Sequence, residues 1–402
     1  MFTVISFRKY WHSRMRHFRA GILSAYAGLL VGWAQSPTQQ QSRPRPPAPV
    51  VSPDVQPDGH VVFRLRAPTA KEVTLRGEWV AAGGIDVSPP VAMTRDDTGI
   101  WSVSVGPLPS EVLAYSFTVD GVTVADPNNS AVKLAANGAA QSLVAVPGNP
   151  PRLHDIRDVP HGTVQENWYH SKVLDGRTRH FFVYTPPGYD PRRPEGYPVL
   201  VLLHGAGNSE TNWESIGRAN FILDNLIAEK RAVPMLMVMP FGHILPPSGS
   251  DLSRNNELFD QDLVESIMPA VESHYHAAPG ARNRGVAGLS MGGMQALEIG
   301  LRHPDRFAWI GVFSPVTEPD IAGRYAQQLA QADKLNRSLS LLWVGCGTQD
   351  NLFQRTKSVD EVLTAHGIRH EFHPAEGARH SWVLWRENLA ELAQAAFRGN
   401  KR

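Results

Sequence analysis

The chain has 402 residues, 42% of them apolar, with 39 basic against 38 acidic side chains and a formal net charge of +1. That length and apolar content predict two folded units with extensions. The balance of charge excludes an electrostatic nucleic-acid binder, and the lone cysteine, Cys346, excludes an internal disulfide framework.

The first residues carry Arg8, Lys9, Arg14, Arg16 and Arg19, followed by an apolar run from Ala20 to Ala34. A basic stretch, a short apolar run and the small residues Gly32 and Ala34 predict a signal peptide over residues 1–34, cleaved after Ala34. The run is short for a bilayer span, so the expectation is export to the periplasm or outside the cell, without stable membrane association. A retained anchor is the alternative reading, and Met15 is an alternative start. Residues 35–53 are rich in Pro and Gln and predict an extended linker.

From residue 54 to 147 the period changes to two. Val61–Arg66, Val73–Trp79, Trp101–Val105 and Tyr115–Val119 alternate apolar and polar residues between turn signals such as Asp58-Gly59 and Asp120-Gly121, which predicts a small antiparallel β-sandwich. The segment resembles the immunoglobulin-like early-set domains, related to the family 48 carbohydrate-binding modules, that precede catalytic domains in glycan-active enzymes. Trp79, Trp101 and Tyr115 are candidates for stacking on sugars, although filling the sandwich core is the commoner fate of such residues.

Residues 148–160 read as an inter-domain connection. Residues 161–398 then alternate strand-like and helix-like runs, which predicts an α/β fold with a mostly parallel central sheet. Strands are expected at 163–173 and 179–185, at the continuous apolar run Val199–Leu203, and at 235–239, 307–313, 339–344 and 369–373. Helices are expected at 220–230, 257–275, 294–301 and 387–397. Pro240 to Asn256, rich in Gly and Pro, reads as an irregular insertion shaping the substrate site.

Gly288-Leu289-Ser290-Met291-Gly292-Gly293 sits between an apolar run and a helical segment and reads as a nucleophile elbow. A serine hydroxyl is a weak nucleophile, so it must be presented on a sharp turn where a histidine can take its proton. Gly288 and Gly292 supply the space such a turn demands. Downstream, Asp350 follows one strand and His380 another, in the order acid then base that suits a triad in which three loops meet at one sheet edge. Asp333, Asp360 and Glu376 are competing carboxylates, expected to be solvated. The oxyanion donors are expected to be the N–H groups of Met291 and of Ala206 or Gly205, in the loop that His204 opens and holds. Trp213 and Trp382 are candidates to line an acyl pocket. The scattered groups His274/His276 and His366/His370/His373 lack acidic partners at ligand spacing, so no metal and no cofactor is expected.

Pro160-His161-Gly162, Tyr184–Tyr189, Leu203-His204-Gly205, Leu226–Glu229, the elbow, and His380-Ser381-Trp382 together resemble the bacterial esterase D and family 1 carbohydrate esterase group. That group includes feruloyl, acetylxylan and enterochelin-type esterases and mycolyltransferases. The resemblance covers residues 160–396. It implies an α/β-hydrolase fold with Ser290 as nucleophile, Asp350 as acid and His380 as base. Export and the early-set resemblance favour a carbohydrate-linked feruloyl or acetyl ester as substrate. The rival readings are a siderophore esterase, which calls for clustered basic residues in the insertion where only Arg254 stands, and an inert glycan-binding protein.

Overall fold

The computed structural model describes residues 49–79, 89–247 and 251–398. The leader and most of the Pro/Gln-rich stretch expected at the N-terminus lie outside them, as does the centre of the insertion.

The N-terminal β unit is built from six main strands: β1 (Val61–Arg66), β2 (Val73–Gly77), β3 (Ile100–Val105), β4 (Val112–Val119), β5 (Val132–Leu134) and β6 (Ala140–Ala145). They form two antiparallel sheets, one pairing β1 with β3, the other running β2-β4-β6-β5. In β1 the buried positions are Val61, Phe63 and Leu65, the alternation expected of a strand with one face on a core. Trp101 and Tyr115 belong to that core. The Trp101 indole donates to the Ala67 carbonyl at 2.9 Å, and the Tyr115 hydroxyl donates to Asp126 at 2.8 Å. Trp79 stacks on Phe63, ring centroids 5.4 Å apart. All three aromatics therefore serve the core rather than a sugar platform.

Strand β4 departs from the simple alternation, because its first six residues are all buried. Leu113, Tyr115 and Phe117 point into the sandwich, whereas Val112 and Ala114, with Leu143 of β6, pack into the core of the C-terminal unit. The outer face of the second sheet is thus covered. As a result everything from Pro49 onward forms one compact unit rather than two separate bodies.

The C-terminal unit carries an eight-stranded sheet. Its strands are β7 (Thr163–His170), β8 (Thr178–Thr185), β9 (Val199–Leu203), β10 (Leu236–Pro240), β11 (Arg284–Leu289), β12 (Trp309–Phe313), β13 (Leu341–Gly347) and β14 (Glu371–Ala375). The order is β7-β8-β10-β9-β11-β12-β13-β14. The first two strands are antiparallel additions, and the rest run parallel. Val199–Leu203 is buried at every position, because helices cover both faces of a parallel strand.

The main helices are α1 (Ala219–Ala228), α2 (Leu252–Asp262), α3 (Met291–Arg302), α4 (Phe353–Ala365) and α5 (Trp382–Ala395). Two start five residues earlier than their apolar periodicity suggests. Asp251 caps α2, its carboxylate accepting the Arg254 N–H at 3.2 Å, so the end of the expected irregular insertion is helical. A π turn over Leu263–Ile267 then carries the chain into the helix Met268–His274, next to Pro269, which has no N–H to give. Helix α5 begins five residues before Glu387, because Arg386 and Asn388 are buried polar residues that interrupt its apolar stripe. Among the described residues no helix is long and apolar enough to cross a membrane.

Candidate active site

Four loops leave the C-terminal ends of parallel strands β9, β11, β13 and β14 and converge, as parallel topology requires. Ser290 stands between β11 and α3 with φ 55° and ψ −114°, a conformation a side-chain-bearing residue adopts only under constraint. Its N–H donates to the Phe313 carbonyl at 2.8 Å, which ties the elbow to the next strand. A Cβ on Gly288 would stand 2.5 Å from the Gly292 carbonyl oxygen, and one on Gly292 would stand 2.6 Å from that of Leu203. The turn can close only because both positions are glycine.

Asp350 follows β13 and is buried; His380 follows β14 and is nearly so. His380 Nδ1 and Asp350 Oδ2 are 2.8 Å apart. Burial opposes the Asp350 charge, but hydrogen bonds from His380, the Leu352 N–H and Ser314 outweigh it and hold the carboxyl below its usual range. An ionised carboxylate can only accept, so the imidazole proton sits on Nδ1 and the Nε2 lone pair is left to accept. Ser290 and His380 line one cavity of about 310 Å³. The competing carboxylates lie elsewhere. Asp333 and Glu376 are exposed, and Asp360 binds His370 at 2.8 Å.

The loop of Gly205 and Ala206, where an oxyanion donor is expected, is fixed from below. His204, fully buried, accepts the Gly242 N–H on Nε2 at 2.9 Å and so donates from Nδ1 to the Gly205 carbonyl at 2.8 Å. Burial drives its pKa down to about 3, so it is a neutral strut. His243 Nε2 lies 2.8 Å from the Ala206 carbonyl oxygen. Gly205 and Ala206 line the cavity beside Ser290. Met291 is the first residue of α3, so its N–H has no acceptor within the helix.

The aromatic residues need one correction. Trp213 is only 1% exposed and donates its indole N–H to the Leu203 carbonyl at 2.9 Å, so it is core rather than cavity wall. It stands edge-on behind Trp382, 5.2 Å away, and Trp382 does line the cavity. Trp385, one helical turn further on, lines it too and packs edge-on against the His380 ring at 4.8 Å. Its spacing from Trp382 is the signal that points to it. Three further lining residues, Glu78, Lys133 and Gln141, come from the N-terminal β unit, and their distance along the chain conceals them. Cys346 is buried, its thiol pushed up to about 12, and is unsuited to act as a nucleophile. Among the described residues no cluster of three or more His, Cys, Asp or Glu could hold a metal ion.

The esterase family model matches residues 171–395, more than half of the chain. This chain belongs to the esterase family, the carboxylic-ester hydrolases. The esterase is 30% identical over 352 residues to an endo-1,4-beta-xylanase/feruloyl esterase of Xylanibacter ruminicola; the match covers 86% of this chain and 46% of that protein. It is similar in structure to a ferulic acid esterase of Anaeromyces mucronatus, with TM-score 0.53 and 26% identity over 60% of this chain and 93% of that one. The enterobactin esterase of Shigella flexneri shares the fold at TM-score 0.60 and 19% identity, over 83% of this chain and 92% of that one. The esterase spans about half the length of the curated relatives it matches.

Proposed function

We propose that this esterase is an exported serine hydrolase that removes feruloyl or acetyl groups from plant polysaccharides. The observation that carries the mechanism is the 2.8 Å contact between His380 Nδ1 and Asp350, which leaves Nε2 for the cavity that Ser290 shares. Ser290 Oγ attacks the ester carbonyl while His380 Nε2 takes its proton. The N–H groups of Met291 and Ala206 hold the oxyanion. His380 then passes the proton to the departing alcohol, leaving an acyl-enzyme. Water, deprotonated by the same nitrogen, attacks that acyl-enzyme and releases the acid. Asp350 orients the ring and stabilises the imidazolium that forms at each step.

For the substrate, the feruloyl esterase relatives and the Trp382/Trp385 face of the cavity, suited to a flat ring, support an aromatic acyl group. The enterobactin esterase likeness supports a shared fold only. An anionic catecholate calls for free cations; Arg254 is paired with Glu257 at 3.1 Å, and among the described lining residues there is Lys133 but no arginine. The early-set character of the β unit is supported by its two antiparallel sheets, and the export reading by the basic-then-apolar leader.

The test compares turnover of methyl ferulate, acetylated xylan and enterobactin by the mature protein. Preference for methyl ferulate or acetylated xylan is the expected result. Preference for enterobactin would overturn the substrate assignment.

A further inference from the structure

The catalytic cavity has two unlike walls. One is aromatic, from Trp382 and Trp385; the other is polar and comes from Glu78, Lys133 and Gln141 of the β unit. Lys133 and Gln141 stand directly opposite each other on β5 and β6, so their side chains share a face. Glu78 follows β2, and its carboxylate lies 3.3 Å from the Lys133 ammonium. The hairpin that carries Lys133 and Gln141 is fastened to the oxyanion loop. Ala135 bridges to Asn208, and the Ala136 N–H donates to the Gly207 carbonyl at 3.3 Å. The polar wall is therefore held in register with Ser290 by backbone contacts.

We propose that this wall is a subsite for the neutral, hydroxyl-rich sugar portion of the ester, so that the β unit determines specificity from within the active site. This rests on the ester-hydrolase reading above. The chemistry of the wall favours a polyol. Lysine has three donors and spends one on Glu78, whose other oxygen accepts the Ala114 N–H at 3.2 Å; Gln141 offers both a donor and an acceptor. The Lys133 and Glu78 charges cancel, so the wall offers alternating donors and acceptors without a net field for an anion. The Lys133 side chain is 12% exposed and that of Glu78 22%, so bulk water competes weakly for what remains. An ester joining an aromatic acid to a sugar has ends of the same two polarities as the walls.

The experiment measures kcat and KM for methyl ferulate and for a feruloylated arabinoxylo-oligosaccharide. The proteins are the wild type, Lys133→Met, Gln141→Ala and the charge-neutral double variant Glu78→Gln/Lys133→Met, each checked for an unchanged melting temperature. The wall predicts that the ratio of kcat/KM for the sugar ester to that for the methyl ester falls about tenfold per variant, carried by KM. A merely structural ion pair would move both substrates together, and a ratio within twofold of wild type in every folded variant overturns the subsite. If the wild type cleaves 4-nitrophenyl acetate but neither ferulate, the feruloyl reading fails, and the wall is then read by competition. Inhibition of 4-nitrophenyl acetate turnover by arabinoxylo-oligosaccharide that weakens in Lys133→Met supports it. No inhibition of the wild type overturns it.

Discussion

At the elbow around Ser290, backbone contact sets the tolerance: Gly288 and Gly292 face carbonyl oxygens at distances that leave no room for a methyl group. At the seam between the β unit and the α/β sheet, charge sets it. Arg386, fully buried on α5, pairs with Glu111 just before β4 and donates to the Ile216 carbonyl at 2.8 Å, and Arg152 binds the same carboxylate. His154 lies 3.6 Å from Glu111 yet stays neutral: burial first, then the field of Arg386, lowers its pKa to about 3. The elbow stores strain in a few contiguous residues, whereas the seam shares a few charges among segments more than two hundred residues apart. A contiguous strained turn should fail in chemistry and spare stability, while a dispersed charge network should fail in stability first.

The sharpest separation is expected at the elbow itself. Ser290→Ala should lower kcat by roughly a million-fold with little change in melting temperature. A large stability loss would break the contrast. Asp350→Asn removes the acceptor that fixes the His380 tautomer and should cost about ten-thousand-fold in kcat, again with a folded protein by circular dichroism. Because the Asp350 carboxyl is held below its ordinary range, it remains ionised as pH falls past the usual carboxylate values. Its contribution to stability, present above its unfolded pKa, is lost only as pH drops through the lowered folded value.

At the seam the ranking reverses. Glu111→Gln leaves the Arg386 guanidinium buried without its counter-charge and should cost about 3–5 kcal/mol in urea unfolding. Preserved stability would show that the network is ornamental. The smallest effect is a slope. With His154 at about 3 when folded and near 6.5 when unfolded, the unfolded chain binds one more proton between those values. Stability therefore falls as pH drops through that window, by about 1.4 kcal/mol per pH unit for this group at its steepest. His154→Gln should flatten the dependence measured at pH 7, 6 and 5 by about one proton's worth. The remaining slope includes His204, which is also lowered to about 3.

The same division explains what could be read from the amino-acid sequence. The elbow, the continuous strand Val199–Leu203 and the alternating strand Val61–Arg66 are local patterns, fixed by neighbours a few residues away, and their positions in the structure match their patterns. Patterns fail where a distant element supplies the burial. Val112 and Ala114 look like an unremarkable strand start until the α/β unit covers them. Arg386 and Asn388 disguise the first turns of α5 because they are buried polar residues, Arg386 at the seam. Trp213 carries no mark distinguishing it from Trp382, yet one lies behind the other, with its indole bonded to the Leu203 carbonyl and its ring packed in the core. The polar wall of Glu78, Lys133 and Gln141 was invisible for the same reason: sequence separation hides a contact that only docking of the two units creates.

The central claim is that Ser290 is an activated nucleophile, and covalent labelling tests it most directly. A fluorophosphonate probe should add one adduct by intact mass, located by peptide mapping on the segment that contains Ser290, and no adduct should form on Ser290→Ala. A folded wild-type protein that takes no label, or takes it on another residue, would contradict the account.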